Sequence, residues 1–238
     1  MKVAILAGGL GTRIYPYTKT IPKPLIKIDK IPIIEHIIYL YLSYGFKEFL
    51  IATGYKGIKI KNHFKKNKFK HLNVQCIDTG KNTMTGGRLL RLKKFLKETF
   101  LVTYGDGLAN IDIKKLIRFH KRKSGIVTLS AVRPVARFGE VTINAKDSSV
   151  KTFKEKPQVS AGRINGGFFV MEPEIFDYIK NSKTSLEREP LENLKDKKKL
   201  FAFKHDGFWQ CMDTIRDKAH IEEQIQLNKG TYPWVKKF

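Results

Sequence analysis

The chain has 238 residues, 42% of them hydrophobic, enough for one sizeable α/β domain; with no Pro/Ser/Gly-rich linker it reads as a single domain over residues 1–238. No apolar run approaches the roughly 18–20 residues that span a bilayer, and the first apolar segment meets glycines and charges too soon for a secretory leader, so the expected compartment is cytoplasmic. The 46 Lys and Arg against 22 Asp and Glu give a formal charge of +24, and the two cysteines, Cys76 and Cys211, lack CxxC or metal-ligand spacing, which argues against a disulfide framework or a structural zinc site.

In chain order, Lys2 to Ala7 is a short apolar run with the pattern of a buried strand, and it ends on Gly8-Gly9-Leu10-Gly11. Ile33 to Tyr44 has apolar residues around most of a helix and stops at Gly45, a natural C-terminal cap. Glu48 to Thr53 is a buried strand, Lys56 to Phe69 a basic amphipathic helix with a loop, and Val74 to Asp78 a strand. Gly87 to Lys97 places Leu89, Leu90, Leu92, Phe95 and Leu96 on one helical side, and Thr99 to Tyr104 is a strand ending in Gly105-Asp106-Gly107. Ile113 to Lys123 is helical. Val127 to Val132, Gly139 to Ile143, Val150 to Phe153 and Gly167 to Met171 are short strands divided by turn residues; Pro173 to Ile179, Glu187 to Lys195 and Arg216 to Leu227 are helices. The βα alternation of the first half predicts a mostly parallel sheet with helices on both faces, and the short strands of the second half extend it as a mixed sheet.

The positive charge invites a polyanion, yet the lysines are scattered through Lys59 to Lys70, Lys93 to Lys97 and Lys195 to Lys199, with no nucleic-acid-binding signature beside them. A solvated lysine face, or a field that gathers small anionic substrates, accounts for it; neither nucleic acid nor membrane insertion is expected.

The opening loop has the chemistry of a phosphate site. Clustered glycines after a strand bring bare backbone N–H groups against an anion. Arg13 can fork onto phosphate oxygens, and Lys23, held between Pro22 and Pro24, is a positioned point charge. The spacing of Gly8, Gly9 and Gly11 satisfies neither the dinucleotide fingerprint nor the P-loop, and a tight turn that only needs positive φ is the competing reading. Asp106 follows a buried strand between two glycines, and Asp213 follows Gly207-Phe208-Trp209-Gln210; two aspartates with phosphate and water oxygens would suit Mg²⁺, while either alone reads equally as a turn-capping residue. Glu155-Lys156-Pro157 and Asn165-Gly166-Gly167 could bind a phosphate and the hydroxyls of a polar ligand, although Glu-Lys-Pro is a common surface turn. The six histidines lack a triad context and receive no catalytic task.

These segments carry a resemblance. Leu6-Ala7-Gly8-Gly9-Leu10-Gly11-Thr12-Arg13 with Pro22-Lys23-Pro24 resembles the signature of the sugar-1-phosphate nucleotidyltransferases, which share a Rossmann-like α/β fold. Asp78-Thr79-Gly80, Met84 to Leu89, Thr103 to Gly107, Arg137-Phe138-Gly139, Glu155-Lys156-Pro157, Ile164 to Phe169 and Gly207 to Thr214 are similar to the glucose-1-phosphate cytidylyltransferases within them, in the family's order over nearly the whole chain. The resemblance implies that Leu6, Ala7, Gly8, Gly9, Gly11, Thr12 and Gly105 hold the nucleotide, that Arg13 and Lys23 clamp its phosphates as the catalytic cations, and that Thr79, Thr85, Gly86 and Arg88 lie along the cytidine. It implies Asp106 and Asp213 as ligands of Mg²⁺, and Glu155, Lys156, Asn165, Gly166 and Trp209 around the sugar phosphate. The implied substrates are CTP and α-D-glucose 1-phosphate, with dTTP, UTP or another sugar 1-phosphate as the alternative specificity and a basic nucleic-acid-binding protein as the reading from another class; the implied assembly is a homo-oligomer. Two departures stand out: Cys211 is where the family usually has proline, and the segment from about His63 to Val74 is short, which bears on subunit contacts and the base pocket.

Overall fold

The computed structural model describes residues 1–66, 69–135, 139–154 and 162–235. In chain order the elements are β1 (Val3–Leu6), α1 (Tyr17–Thr20), the hairpin of β2 (Lys27–Ile28) and β3 (Ile31–Pro32), α2 (Ile33–Leu42), β4 (Glu48–Thr53), α3 (Gly57–Phe64), β5 (Asn73–Asp78), α4 (Thr85–Arg91), β6 (Phe100–Tyr104), β7 (Gly107–Ala109), α5 (Ile113–Lys123), β8 (Val127–Val132), β9 (Glu140–Ile143), β10 (Val150–Lys154), β11 (Ile164–Met171), α6 (Glu189–Asp196), β12 (Leu200–His205), β13 (Trp209–Cys211) and α7 (Ile215–Leu227).

Seven strands form the central sheet in the order β12-β8-β11-β6-β1-β4-β5. β1 pairs in parallel with both β4 and β6, β4 with β5, and β8 with β12, whereas β11 runs antiparallel to β6 and β8. The sheet is therefore the mixed, mostly parallel one expected. Alternation along β1 builds its two cores. Val3 and Ile5 point toward a cluster that includes Ile37 of α2 and Ile221 of α7, while Ala4 and Leu6 point to the other face, with Leu89 of α4 and Leu194 of α6. A strand buried on both sides reads as an unbroken apolar run, which is what Val3 to Leu6 is.

Local chemistry sets the helix ends. Asp112 accepts the Lys115 N–H at the start of α5, and Thr214 with Asp217 forms a reciprocal capping box at the start of α7. Gly45, with φ of +89°, takes the left-handed conformation that ends the turn after α2.

The structure corrects three expectations. The helix placed at Gly87 to Lys97 starts at Thr85, ends at Arg91 and continues as a separate 3₁₀ turn over Lys93–Phe95; Pro173–Tyr178 is 3₁₀ rather than α. The short strands do not all join the sheet: β9 and β10 form a separate antiparallel ribbon. Its cross-strand pairs put Val141, Phe153, Ile143 and Val150 on one face, each 49–64% exposed, and Thr142, Thr152, Glu140 and Lys154 on the other. An isolated two-stranded ribbon is marginal in water, and these four exposed apolar side chains add little to its stability.

His36 links α2 to the C-terminal segment. Its ring is buried edge-on against Tyr232 and Trp234, Nε2–H donates to the Ile28 carbonyl at 3.1 Å, and Nδ1 has no partner among the described residues. Burial pushes its pKa from the usual 6.5 down to about 4, because a charged ring there would lose its hydration. Between those values the unfolded chain binds a proton that the folded one does not, so the stability is present above pH 6.5 and is lost as pH falls toward 4, by up to about 3 kcal/mol. Urea unfolding measured from pH 7 to pH 4 should show this loss, and His36→Gln should flatten it; parallel curves for the two proteins would remove His36 as its source.

Candidate active site

From β1 the chain builds outward through β4 and β5 and then returns to place β6 on the other side of β1. The loops after β1 and β6 part at this reversal, and that is where an open α/β sheet leaves a crevice at the carboxyl ends of its strands. A cleft of about 880 Å³ lies there, walled by residues 6–13, Lys23, residues 81–85, Tyr104 to Asp106, Asn165, Glu187, Trp209 and Asp213.

Its floor is held by Arg88. The buried guanidinium donates to the carbonyls of Gly8 at 2.9 Å, Thr53 at 3.2 Å, Gly80 at 2.7 Å and Lys81 at 3.2 Å, and to Thr79 Oγ1 at 2.8 Å. A Cβ on Gly8 would lie 2.1 Å from Arg88 Nη1, so the first glycine of the loop is required by the arginine behind it. Gly11, at φ +66°, turns the chain where a Cβ would also press on Lys23 at 3.0 Å. The backbone N–H groups of Gly9, Leu10 and Gly11 find no acceptor among the described residues. Free amides on a loop lining a cleft can cradle an anion.

Beside this loop four charges meet. Lys23 Nζ lies 2.6 Å from Asp106 Oδ2 and 2.5 Å from Asp213 Oδ1, and Arg13 Nη1 lies 3.0 Å from Asp213 Oδ2. Burial presses the Lys23 pKa down, but the two carboxylates outweigh it and the net shift is upward, so the group is an ammonium. The short ribbon of β7 and β13 brings the aspartates together: Cys211 pairs with Gly107, and the Met212 N–H donates to the Asp106 carbonyl at 2.8 Å. Asp106 and Asp213 thus flank the same end of one ribbon. Cys211 lines the cleft as well; burial, then the carboxylates of Asp213 and Asp106, push its thiol up to about 12, so it stays protonated and is no nucleophile.

The other wall is a hydroxyl network centred on Glu187. Tyr104 donates to Glu187 Oε1 at 2.5 Å, Thr85 and Ser185 donate to Oε2 at 2.6 and 2.7 Å, and Asn165 Nδ2 donates to the Tyr104 oxygen at 3.2 Å. Burial and the neighbouring carboxylate raise the Tyr104 pKa, so its hydroxyl keeps its proton. Sequence reasoning passed over Tyr104 and Glu187 as site residues. The position of Tyr104, directly before Gly105-Asp106, was an available signal; Glu187 has none, because Tyr104 and Thr85, which it joins, lie 83 and 102 positions away.

Most residues singled out from the sequence come together at this cleft: the loop Leu6 to Arg13, Lys23, Thr85, Arg88, Gly105, Asp106, Asn165, Trp209 and Asp213. Thr79, Gly86 and Gly166 do not line it. Thr79 is fully buried, donating to the Thr53 carbonyl and accepting from Arg88. Gly86 and Gly166 permit close packing, since a Cβ would meet Thr184 O at 2.8 Å or Ser130 Oγ at 2.6 Å, and Gly166 O accepts the Trp209 indole N–H at 2.8 Å. Arg88 reaches the cleft, but both its terminal nitrogens are committed to the loops it joins. Glu155 and Lys156 lie outside the described residues.

The donor set tests whether a metal could sit here. Two carboxylates converge on one point with hard oxygen donors, the type that Mg²⁺ prefers, and among the described residues no third His, Cys, Asp or Glu joins them. The residues fit a divalent cation that takes its remaining ligands from substrate and water.

Known proteins share this architecture. The family profile of the nucleotidyl transferases matches residues 2–224. A glucose-1-phosphate cytidylyltransferase of Salmonella typhimurium is 44% identical over 258 residues, covering 98% of each chain; that alignment is longer than this chain, so the relative carries residues this one lacks. A Bacillus subtilis protein named probable glucose-1-phosphate cytidylyltransferase is 40% identical, covering 98% of this chain and 99% of its own. Among solved structures, HddC from Yersinia pseudotuberculosis superposes with a TM-score of 0.74 at 25% identity over 94% of this chain and 99% of that one, and a UDP-glucose pyrophosphorylase complexed with UDP-glucose with 0.72 at 19% identity over 95% and 98%, the latter a likeness of fold. The glycine loop, the paired aspartates and the sheet reversal that joins them therefore belong to a member of the nucleotidyl transferase family, related over almost its whole length to the glucose-1-phosphate cytidylyltransferases.

Proposed function

We propose that the chain transfers CMP from CTP to α-D-glucose 1-phosphate, giving CDP-glucose and pyrophosphate. The observation that carries this reading is the convergence of Lys23 and Arg13 on Asp106 and Asp213 beside the free amides of the glycine loop, in a chain 44% identical to a glucose-1-phosphate cytidylyltransferase. The sugar phosphate attacks the α-phosphorus in line and pyrophosphate leaves, so no protein nucleophile is needed, and the residues work by alignment and charge. The loop amides cradle phosphate oxygens. Lys23 and Arg13 neutralise the charge that moves toward pyrophosphate. Asp106 and Asp213 would hold Mg²⁺, which supplies Lewis-acid neutralisation of phosphate oxygens. Tyr104, Asn165 and Glu187 offer fixed acceptors and donors to ligand hydroxyls, and Lys156, following β10, is assigned to the phosphate of the sugar.

The reading extends to a cytoplasmic enzyme, where the nucleoside triphosphate is supplied, and to a homo-oligomer, for which the uncovered apolar face of the β9–β10 ribbon is support. Pyrophosphate release from four nucleoside triphosphates against several sugar 1-phosphates should be fastest for CTP with glucose 1-phosphate and Mg²⁺; a clear preference for dTTP or UTP would replace the donor.

Four substitutions test the residues. Asp106→Asn and Asp213→Asn each keep the side-chain volume and remove an anionic ligand, so kcat should fall on the order of 100-fold while circular dichroism stays unchanged. Near-normal turnover at limiting Mg²⁺ in either variant would take that residue out of the metal shell. Lys23→Met should lower kcat, because its contact strengthens as charge moves to the leaving group. Lys156→Met should instead raise KM for sugar 1-phosphate by about tenfold or more with KM for CTP little changed, in line with the loss of one charge-assisted contact. Equal weakening toward both substrates would leave Lys156 without its assigned role.

A further inference from the structure

The cluster at the mouth of the glycine loop is already neutral without any metal. Two cations, Lys23 and Arg13, face two anions, Asp106 and Asp213, and the Lys23 ammonium sits on the point where the two carboxylates converge. We propose that Lys23 occupies, in the free protein, the place a divalent cation takes in the working complex, so that the cation binds tightly only together with the nucleoside triphosphate. The inference rests on the reading of Asp106 and Asp213 as the metal-holding pair.

Geometry makes the two occupants exclusive. Mg²⁺ needs its oxygens at about 2.0–2.1 Å, and a lysine nitrogen 2.5 and 2.6 Å from the same two oxygens fills that space. Lys23 cannot simply swing into solvent. Its side chain is only 11% exposed, its backbone is set by Pro22 and Pro24, and its stem packs under Gly11, where an added Cβ would touch it at 3.0 Å. The ammonium must exchange one anionic partner for another within reach, and the loop it packs against is the one with free amides for phosphate. Arg13, 70% exposed, has freedom to follow.

Charge gives the same order. A divalent cation entering the free cluster would leave it at +2 inside a protein of formal charge +24, which repels it. A nucleoside triphosphate brings enough negative charge to draw Lys23 and Arg13 off the carboxylates and leave both facing the metal. Nucleotide and metal are then coupled ligands, each raising the affinity for the other.

Mn²⁺ is the probe. Its binding is read from the loss of the free-ion electron paramagnetic resonance signal and from water-proton relaxation, which separates protein-bound ion from ion on nucleotide alone, with α,β-methylene-CTP as the unreactive nucleotide. The wild-type protein should bind Mn²⁺ at least tenfold more tightly with the analogue than without it. Lys23→Met and Lys23→Gln, each checked for folding by circular dichroism, should bind Mn²⁺ without nucleotide at least tenfold more tightly than wild type, and adding Asp213→Asn to either should abolish the gain. Mn²⁺ binding to free wild type as tight as with the analogue, or no gain in both Lys23 variants while wild type binds with the analogue, overturns the inference alone. Absence of Mn²⁺ from the wild-type complex with analogue overturns the metal-holding role of the aspartates, and the inference with it.

Discussion

A charged guanidinium buried under the ends of three parallel strands has to find acceptors there, since an unpaired buried charge costs several kcal/mol. Arg88 finds them in the backbone, at the carbonyl that ends β4 and at carbonyls just after β1 and β5. That requirement dictates the residues around it. Gly8 and Gly54 sit where a Cβ would come within 2.1 and 2.5 Å of Arg88 Nη1, so both positions lose their side chains. The loop after β1 is then anchored by its own carbonyls from behind, which leaves its amides for a ligand. Arg88, expected along the nucleotide, is thus also the clamp that shapes the glycine loop.

The second constraint is the joining of distant segments at one strand end. Asp106 and Asp213 share no local sequence relation, yet the β7–β13 ribbon makes them neighbours, and Trp209 on the same ribbon reaches the Gly166 carbonyl. Glu187 does the same on the opposite wall, holding Thr85 from α4 and Tyr104 from β6 in fixed orientations. One wall presents charge and the other presents oriented hydroxyls, which matches a ligand with phosphates at one end and hydroxyls at the other.

What could be read in the sequence follows from this division. Glu48 to Thr53, Val127 to Val132 and Ile113 to Lys123 were legible to the residue, because buried strands and a strongly amphipathic helix carry their burial in their own pattern. β12 was not, since Leu200 to His205 is a half-exposed edge strand in which Lys204 and His205 break the apolar run. The helix start at Thr85 was misplaced because its first turn carries no side-chain cap; Thr85 spends its hydroxyl on Glu187 and on the Leu186 amide. Glycines told of close approach but not of what approaches. Gly8 and Gly11 border the cleft, whereas Gly86 and Gly166 make room for protein, and only the fold separates the two cases.

The charge of the whole molecule and the charge of the site answer different needs. Lysines spread over helices and loops create a field that concentrates anions near the surface, without choosing among them. Within the cleft Lys23 and Arg13 are each held by a carboxylate, so that cluster is locally balanced. A bare anion gains little from displacing those pairs. Under the proposed reading, a polyphosphate carries enough negative charge to take both cations from their carboxylates, and selection among the gathered anions begins at that point.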